Sequence, residues 1–208
     1  MSEHMFEEIA QRICVSVSAL DSRPSIDEYE QQLARQQRLT PFCAEMFAVA
    51  RDMRARNDLV VYVAGILTGA TDADKCRYES AAKVIAQHQK PGARMVAYVP
   101  HLNTDPKKHT HVTPEEVRDI DFLMAVLAAD VQFNFWHPVS HGNAVEAAWA
   151  EVYEVPVVHM ASKFTVLSRL IRGMHNIAGV IIYEDFMRDG ITAVDRLCCS
   201  LEAKFLAG

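Results

Sequence analysis

From Leu59 onward, short apolar runs rich in β-branched residues alternate with amphipathic stretches of helical period. A strand-length run that is apolar on both faces needs helices to cover it. The alternation is therefore the mark of repeated βα units around a parallel sheet. The runs predict strands at Leu59–Ala64, Arg94–Val99, Val131–Phe135, Val155–Met160 and Gly179–Tyr183. The intervening stretches predict helices at about Ala73–Gln89, Pro114–Ala129, Gly142–Tyr153 and Lys163–His175, with a last one at about Thr192–Leu206. The expected fold is α/β, a doubly wound five-stranded parallel sheet over residues 58–208.

Residues 1–57 read differently, as a helical N-terminal extension for packing or oligomerisation. Ser25-Ile-Asp-Glu28 is a capping-box start, and Thr40-Pro41 places a capping hydroxyl before a proline at the first helical position. Acidic residues outnumber basic ones by 27 to 21 in the 208-residue chain, for a net charge of −6. A binder of polymeric nucleic acid neutralises phosphates with a basic face, so that class is disfavoured. The apolar runs at 59–67 and 122–129 fall short of the roughly 20 residues that a membrane-spanning helix needs. No basic-then-apolar leader opens the chain, and the five cysteines lack a CxxC spacing. The expectation is a cytoplasmic protein with reduced thiols and no membrane partner.

In a doubly wound sheet, ligands bind outside the carboxyl ends of the strands. That rule nominates the loops at 65–72, 100–114, 136–142 and 161–163. In the first of these, Gly65-Ile-Leu-Thr68-Gly69 has two readings. It brings backbone N–H groups close to a phosphate, or it is a glycine turn that lets a helix pack tightly. It matches neither the dinucleotide fingerprint nor a Walker loop. In the third, Ser140 and Gly142 stand at a helix start that favours an anion. Glu146, one turn further on, is either a helix-start charge or the floor of a pocket. Asp121 borders the apolar side of its helix, so a solvated or capping role and a functional one both stand. His109, His111, His137 and His141 form the closest histidine pairs, with no Cys or carboxylate completing a usual tetrahedral set. No metal and no cofactor are expected. A G-x-S-x-G elbow is also missing, which removes the serine-hydrolase reading.

Taken in order, Tyr62-x-x-Gly65, Asp121 with Asp130 nine residues on, and Ser140-x-Gly142-x-Ala144-x-Glu146 resemble the nucleoside 2-deoxyribosyltransferase superfamily. The resemblance covers about residues 59–205 and implies a Rossmann-like, flavodoxin-like sheet. It is closest to the 2′-deoxynucleoside 5′-monophosphate N-glycosidase branch. There, a serine such as Ser140 replaces the aspartate that contacts the sugar hydroxyl in the nucleoside enzymes. The stretch Val166–Gly173 resembles the segment that lends a phosphate-binding serine, here Ser168, to the neighbouring subunit.

The resemblance implies the following roles. Glu146 attacks the anomeric carbon, Asp121 assists departure of the base, and Tyr62 holds the Glu146 carboxylate. Gly65, Thr68, Gly69, Ser140, Gly142 and Ser168 bind the phosphate, and His101 lines the base pocket. The partners implied are a small nucleotide or nucleoside substrate and further copies of the chain, as a homodimer or higher homo-oligomer. Two departures stand out. Thr68 occupies a position that is usually basic in the branch, with Lys107 or Lys108 as substitutes, and Trp136-His137-Pro138 is bulky beside the sugar. Three other functions stay open: base exchange on free deoxynucleosides, cleavage of NAD, and nucleotide binding without catalysis.

Overall fold

The computed structural model describes residues 23–189, apart from 57, 88, 91 and 92. The strands are β1 (Leu59–Ala64), β2 (Gln89–Lys90), β3 (Ala93–Tyr98), β4 (Val131–Phe135), β5 (Val157–Ala161) and β6 (Ile177–Ile182). Five of them form the parallel sheet in the order β3-β1-β4-β5-β6, while β2 adds a two-residue antiparallel edge on Arg94 and Ala93. This is the doubly wound α/β architecture. β1 and β4 have the predicted bounds. β5 starts at Val157 rather than Val155, because Pro156 has no N–H to give the ladder. β6 starts at Ile177 and stops at Ile182, where residues 183–189 turn helical.

The helices are α1 (Ile26–Arg35), α2 (Pro41–Ala55), α3 (Asp72–Ala86), α4 (His101–Thr104), α5 (Pro114–Phe122), α6 (His141–Val152) and α7 (Arg169–Arg172). α1 begins at the predicted capping box: Ser25 Oγ accepts from Glu28 N at 3.2 Å and Glu28 Oε2 accepts from Ser25 N at 2.7 Å. Thr40 caps α2 ahead of Pro41. Both helices share a core with the sheet. Tyr29, Leu33, Met46 and Phe47 pack with Tyr62, Tyr98, Leu123 and Val126. The opposite face of the sheet buries Val61, Val63, Phe133 and Phe135 against Tyr78 and Ile85 of α3 and Phe186.

After α5 the chain widens into π-helical geometry over Leu123–Ala128, with every residue buried. Widening frees carbonyls that an α-helix would occupy, and side chains fill the gap. Arg23 reaches the carbonyls of Val126 and Ala129, and Gln132 Nε2 donates to Ala125 O at 3.0 Å.

The helix expected over Lys163–His175 is a correction: only Arg169–Arg172 is helical there. Hydroxyl groups compete for the backbone. Thr165 Oγ1 accepts from Ser162 N at 3.0 Å, and Ser168 Oγ accepts from Ile171 N at 3.2 Å. α4 is a short helix inside the expected 100–114 loop. The helix expected over Thr192–Leu206 and the first 22 residues lie outside the described residues.

Candidate active site

β1 lies between β3 and β4, and the chain leaves β1 and β4 toward opposite faces of the sheet. The ends of those two strands are therefore where a doubly wound sheet opens a ligand crevice. Alternation along β1 sends Tyr62 toward α6, where its fully buried hydroxyl donates to Glu146 Oε1 at 2.9 Å. Glu146 stands on the buried side of α6 with Asn143, Ala147 and Ala150. Asp121 is buried in the last turn of α5. The two carboxylates keep 8% (Asp121) and 6% (Glu146) of their surface. Tyr98, beside Tyr62 in register, stacks on its ring at 5.9 Å.

No cation bonds to either carboxylate among the described residues, and burial penalises their charge. Desolvation raises Asp121 to about 7. Desolvation, and then repulsion from Asp121, raises Glu146 to about 8. The Tyr62 hydroxyl opposes both shifts, and its own ionisation is pushed well above the ordinary range by burial. Near neutral pH the pair holds a proton, with the larger share on Glu146, the higher of the two; the Tyr62 hydroxyl on Oε1 supports the alternative form, charge on Glu146 and proton on Asp121.

Neighbouring aspartates show the contrast. Asp119 is buried but ion-paired with Arg38 and Arg118. Asp130 accepts from Val60 N at 2.8 Å and pairs with Arg54 at 2.6 Å, fixing the start of β1.

The remaining predicted residues divide. Thr68 and Gly69 are exposed in the loop after β1, where Gly69 adopts φ +82°. Ser140 caps α6, its Oγ accepting from Asn143 N at 3.4 Å, and Gly142 is exposed beside it. These four flank the crevice. Gly65 serves packing: a Cβ there would lie 2.4 Å from the Tyr78 ring, whose hydroxyl accepts from Ile66 N at 3.1 Å. His101 is not brought to the carboxylate pair. It is fully buried, with Nε2 on Glu79 at 2.9 Å and its ring near Tyr78, outside the carboxylate cluster. Ser168 caps α7 on the exposed loop after β5 and makes no contact with the cluster within this chain. Lys107 and Lys108 are exposed.

The sequence reading missed a buried polar layer. Gln132, Asn134, Asn143 and His159 are each fully buried. Register places Ala64, Asn134 and His159 side by side, one step toward the strand ends from Tyr62 and Gln132 and on the same face. The available signal was Val131-Gln-Phe-Asn-Phe135: two amides alternating with aromatics in a strand covered on both sides.

An open cleft of about 440 Å³ lies elsewhere, on the β3 edge between Glu79, Lys83, Arg94 and Leu102, and its Arg56 and Arg94 are committed to Asp58. Among the described residues, no three His, Cys, Asp or Glu side chains form a metal-binding group, and no helix is long and apolar enough to cross a membrane. Neither a scan against protein-family models nor a search of curated proteins gives a match for this chain.

Proposed function

We propose that the protein is a cytoplasmic nucleotide N-glycosidase that cleaves nucleoside 5′-monophosphates to free base and sugar 5-phosphate. The observation that carries the reading is the buried pair Asp121–Glu146 with the Tyr62 hydroxyl on Glu146 Oε1. The reactive form is the one with the pair's proton on Asp121: Glu146 attacks C1′ as the C1′–N bond breaks, and Asp121 gives that proton to the departing base. A water then takes the sugar from Glu146, leaving its proton with Asp121, and the carboxylates return to their starting state. Tyr62 orients the nucleophile and limits its basicity. The phosphate is placed at the two loops that carry Thr68, Gly69, Ser140 and Gly142, of which Thr68, Gly69 and Gly142 are exposed.

The test is release of base from a panel of nucleoside monophosphates, with matched nucleosides and NAD, by wild type and Glu146→Gln. Turnover of a monophosphate that falls by about 10³-fold or more in the variant supports the reading. Silence on every monophosphate overturns it. One observation favours a second reading, base exchange on nucleosides: carboxylates this dry hold water away from a glycosyl intermediate. Turnover that requires an added second base would select it.

The oligomer belongs to the same proposal. Phe164, Val166 and Leu170 are 91%, 92% and 81% exposed on the segment that carries Ser168. Three large apolar side chains left to solvent on one short segment suit an interface, and a second copy seated there brings Ser168 to its neighbour's phosphate. Leu170→Glu is expected to shift sedimentation toward the monomer and to raise KM.

A further inference from the structure

The polar layer beneath α6 carries more than packing requires. Trp136 Nε1 donates to His159 Nδ1 at 2.7 Å, so that nitrogen bears no proton and the His159 proton is on Nε2. Nε2–H is buried without a partner among the described residues. The same holds for both amide atoms of Asn134, for Asn143 Oδ1, and for Glu146 Oε2 and Gln132 Oε1. Asn143 is oriented by its Nδ2, which donates to Phe135 O at 2.7 Å. Buried polar atoms are nearly always bonded, so neighbouring unbonded ones point to something that bonds them.

The donor and acceptor pattern selects the class of that group. Asn134 Nδ2 and His159 Nε2 give protons, while Asn134 Oδ1, Asn143 Oδ1 and Glu146 Oε2 take them. An anion would face carboxylate and carbonyl oxygens with no cation to offset them. An apolar group would leave every atom unmet. A neutral hydroxyl, donor and acceptor at once, satisfies both kinds. Glu146 joins this layer to the crevice: Oε1 holds Tyr62, and Oε2 is unbonded. In the glycosidase reading Glu146 attacks C1′, and the ring hydroxyl nearest C1′ is the 2′.

We infer that Asn134, Asn143 and His159 form a hydroxyl-reading compartment that takes the 2′-hydroxyl of the substrate sugar, so that the site prefers ribonucleotides to their 2′-deoxy counterparts. The inference deepens the glycosidase reading and rests on it for the identity of the ring. A site built to bond a hydroxyl rejects the analogue that lacks it, because its own buried groups are left unpaired. The expected preference in kcat/KM is roughly tenfold or more.

The experiment compares base release from matched ribo- and 2′-deoxyribonucleoside 5′-monophosphates by wild type, Asn134→Leu and Asn134→Ala. Calorimetric titration with ribose 5-phosphate and 2-deoxyribose 5-phosphate runs beside it, and thermal unfolding checks that each variant is folded. Wild type is expected to favour the ribose forms in both assays, and the variants to bring the ratio toward one. A wild-type ratio of one, or a ratio unchanged in a folded variant, overturns the inference, and the wild-type ratio needs no variant at all. The two readings fail separately. Base release that Glu146→Gln abolishes, with equal use and binding of the two sugars, removes the compartment alone. No base release from any monophosphate, with tighter ribose 5-phosphate binding that Asn134→Leu loses, removes the glycosidase and keeps the compartment.

Discussion

Tyr62 and Glu146 stand 84 residues apart in the chain, yet a phenol oxygen and a carboxylate oxygen meet at 2.9 Å. Both side chains are buried, so water does not compete for the bond. A hydrogen bond to a charged group in such a place contributes about 1.5–3 kcal/mol. Tyr62→Phe removes it and keeps the ring stacked on Tyr98. Base release at neutral pH is expected to fall about 10–100-fold, by conversion of that energy. Glu146 loses a group that lowers its pKa, so the acidic limb of the pH–rate profile moves to higher pH. An unmoved limb would show that Glu146 is not the titrating base.

The same carboxylates make stability depend on pH. Their folded pKa values, about 7 for Asp121 and about 8 for Glu146, lie above the ordinary 3.8 and 4.5. Between those limits the folded state binds more protons than the unfolded chain, so stability is full at the acidic end and declines as pH rises through 8. The midpoint of thermal unfolding is expected to be higher at pH 5.5 than at pH 8.5. Asp121→Asn removes one titrating group and the repulsion on the other, and it flattens the slope. A midpoint constant across the window in wild type would contradict the buried pair. Asp58, Asp105 and Glu116, held low chiefly by bonds to Arg94, Lys75 and the Thr113 N–H respectively, act only at more acidic pH.

Gly65→Ala drives a methyl group into the Tyr78 ring, 2.4 Å from Cζ. Overpacking of this kind costs about 1–3 kcal/mol, read as a lower denaturation midpoint in urea. Thr68→Ala, on the exposed part of the same loop, changes stability by no more than about 0.5 kcal/mol. Equal effects of the two changes would mean that the loop does not pack as described.

Asp130→Ala leaves Val60 N and the Arg54 guanidinium without the partner that holds the start of β1. A loss of about 1–3 kcal/mol in stability is expected. Activity per folded molecule, counted by active-site titration, is expected to stay at the wild-type level. A selective loss of turnover in a fully folded variant would give Asp130 a part in the chemistry.

Much of the fold was legible because its signals are local. The alternation from Leu59 marks strands and helices, and Ser25 and Thr40 announce their helices by hydroxyls at fixed offsets. Tyr62, Asp121 and Glu146 were legible as residue types in order along the chain. Their burial was not, since it depends on α1, α2 and the π-helical segment closing over one face of the sheet. The setting of His101 is hidden for a related reason: the short α4 carries it against Glu79 and Tyr78, a contact no local spacing reveals. Asn134 and His159 went unnoticed because amides and imidazoles inside strands read as exceptions until register sets them side by side.

Gln132 has one amide nitrogen with two hydrogens, and each goes to a different helix: to Ala125 O at 3.0 Å and to Glu146 O at 3.3 Å. One contact lies in the widened turn that follows Asp121; the other is the backbone of Glu146 itself. Strand β4 thus ties the segment that follows Asp121 to the backbone of Glu146, and works as a gauge block between the two elements that carry the acid groups.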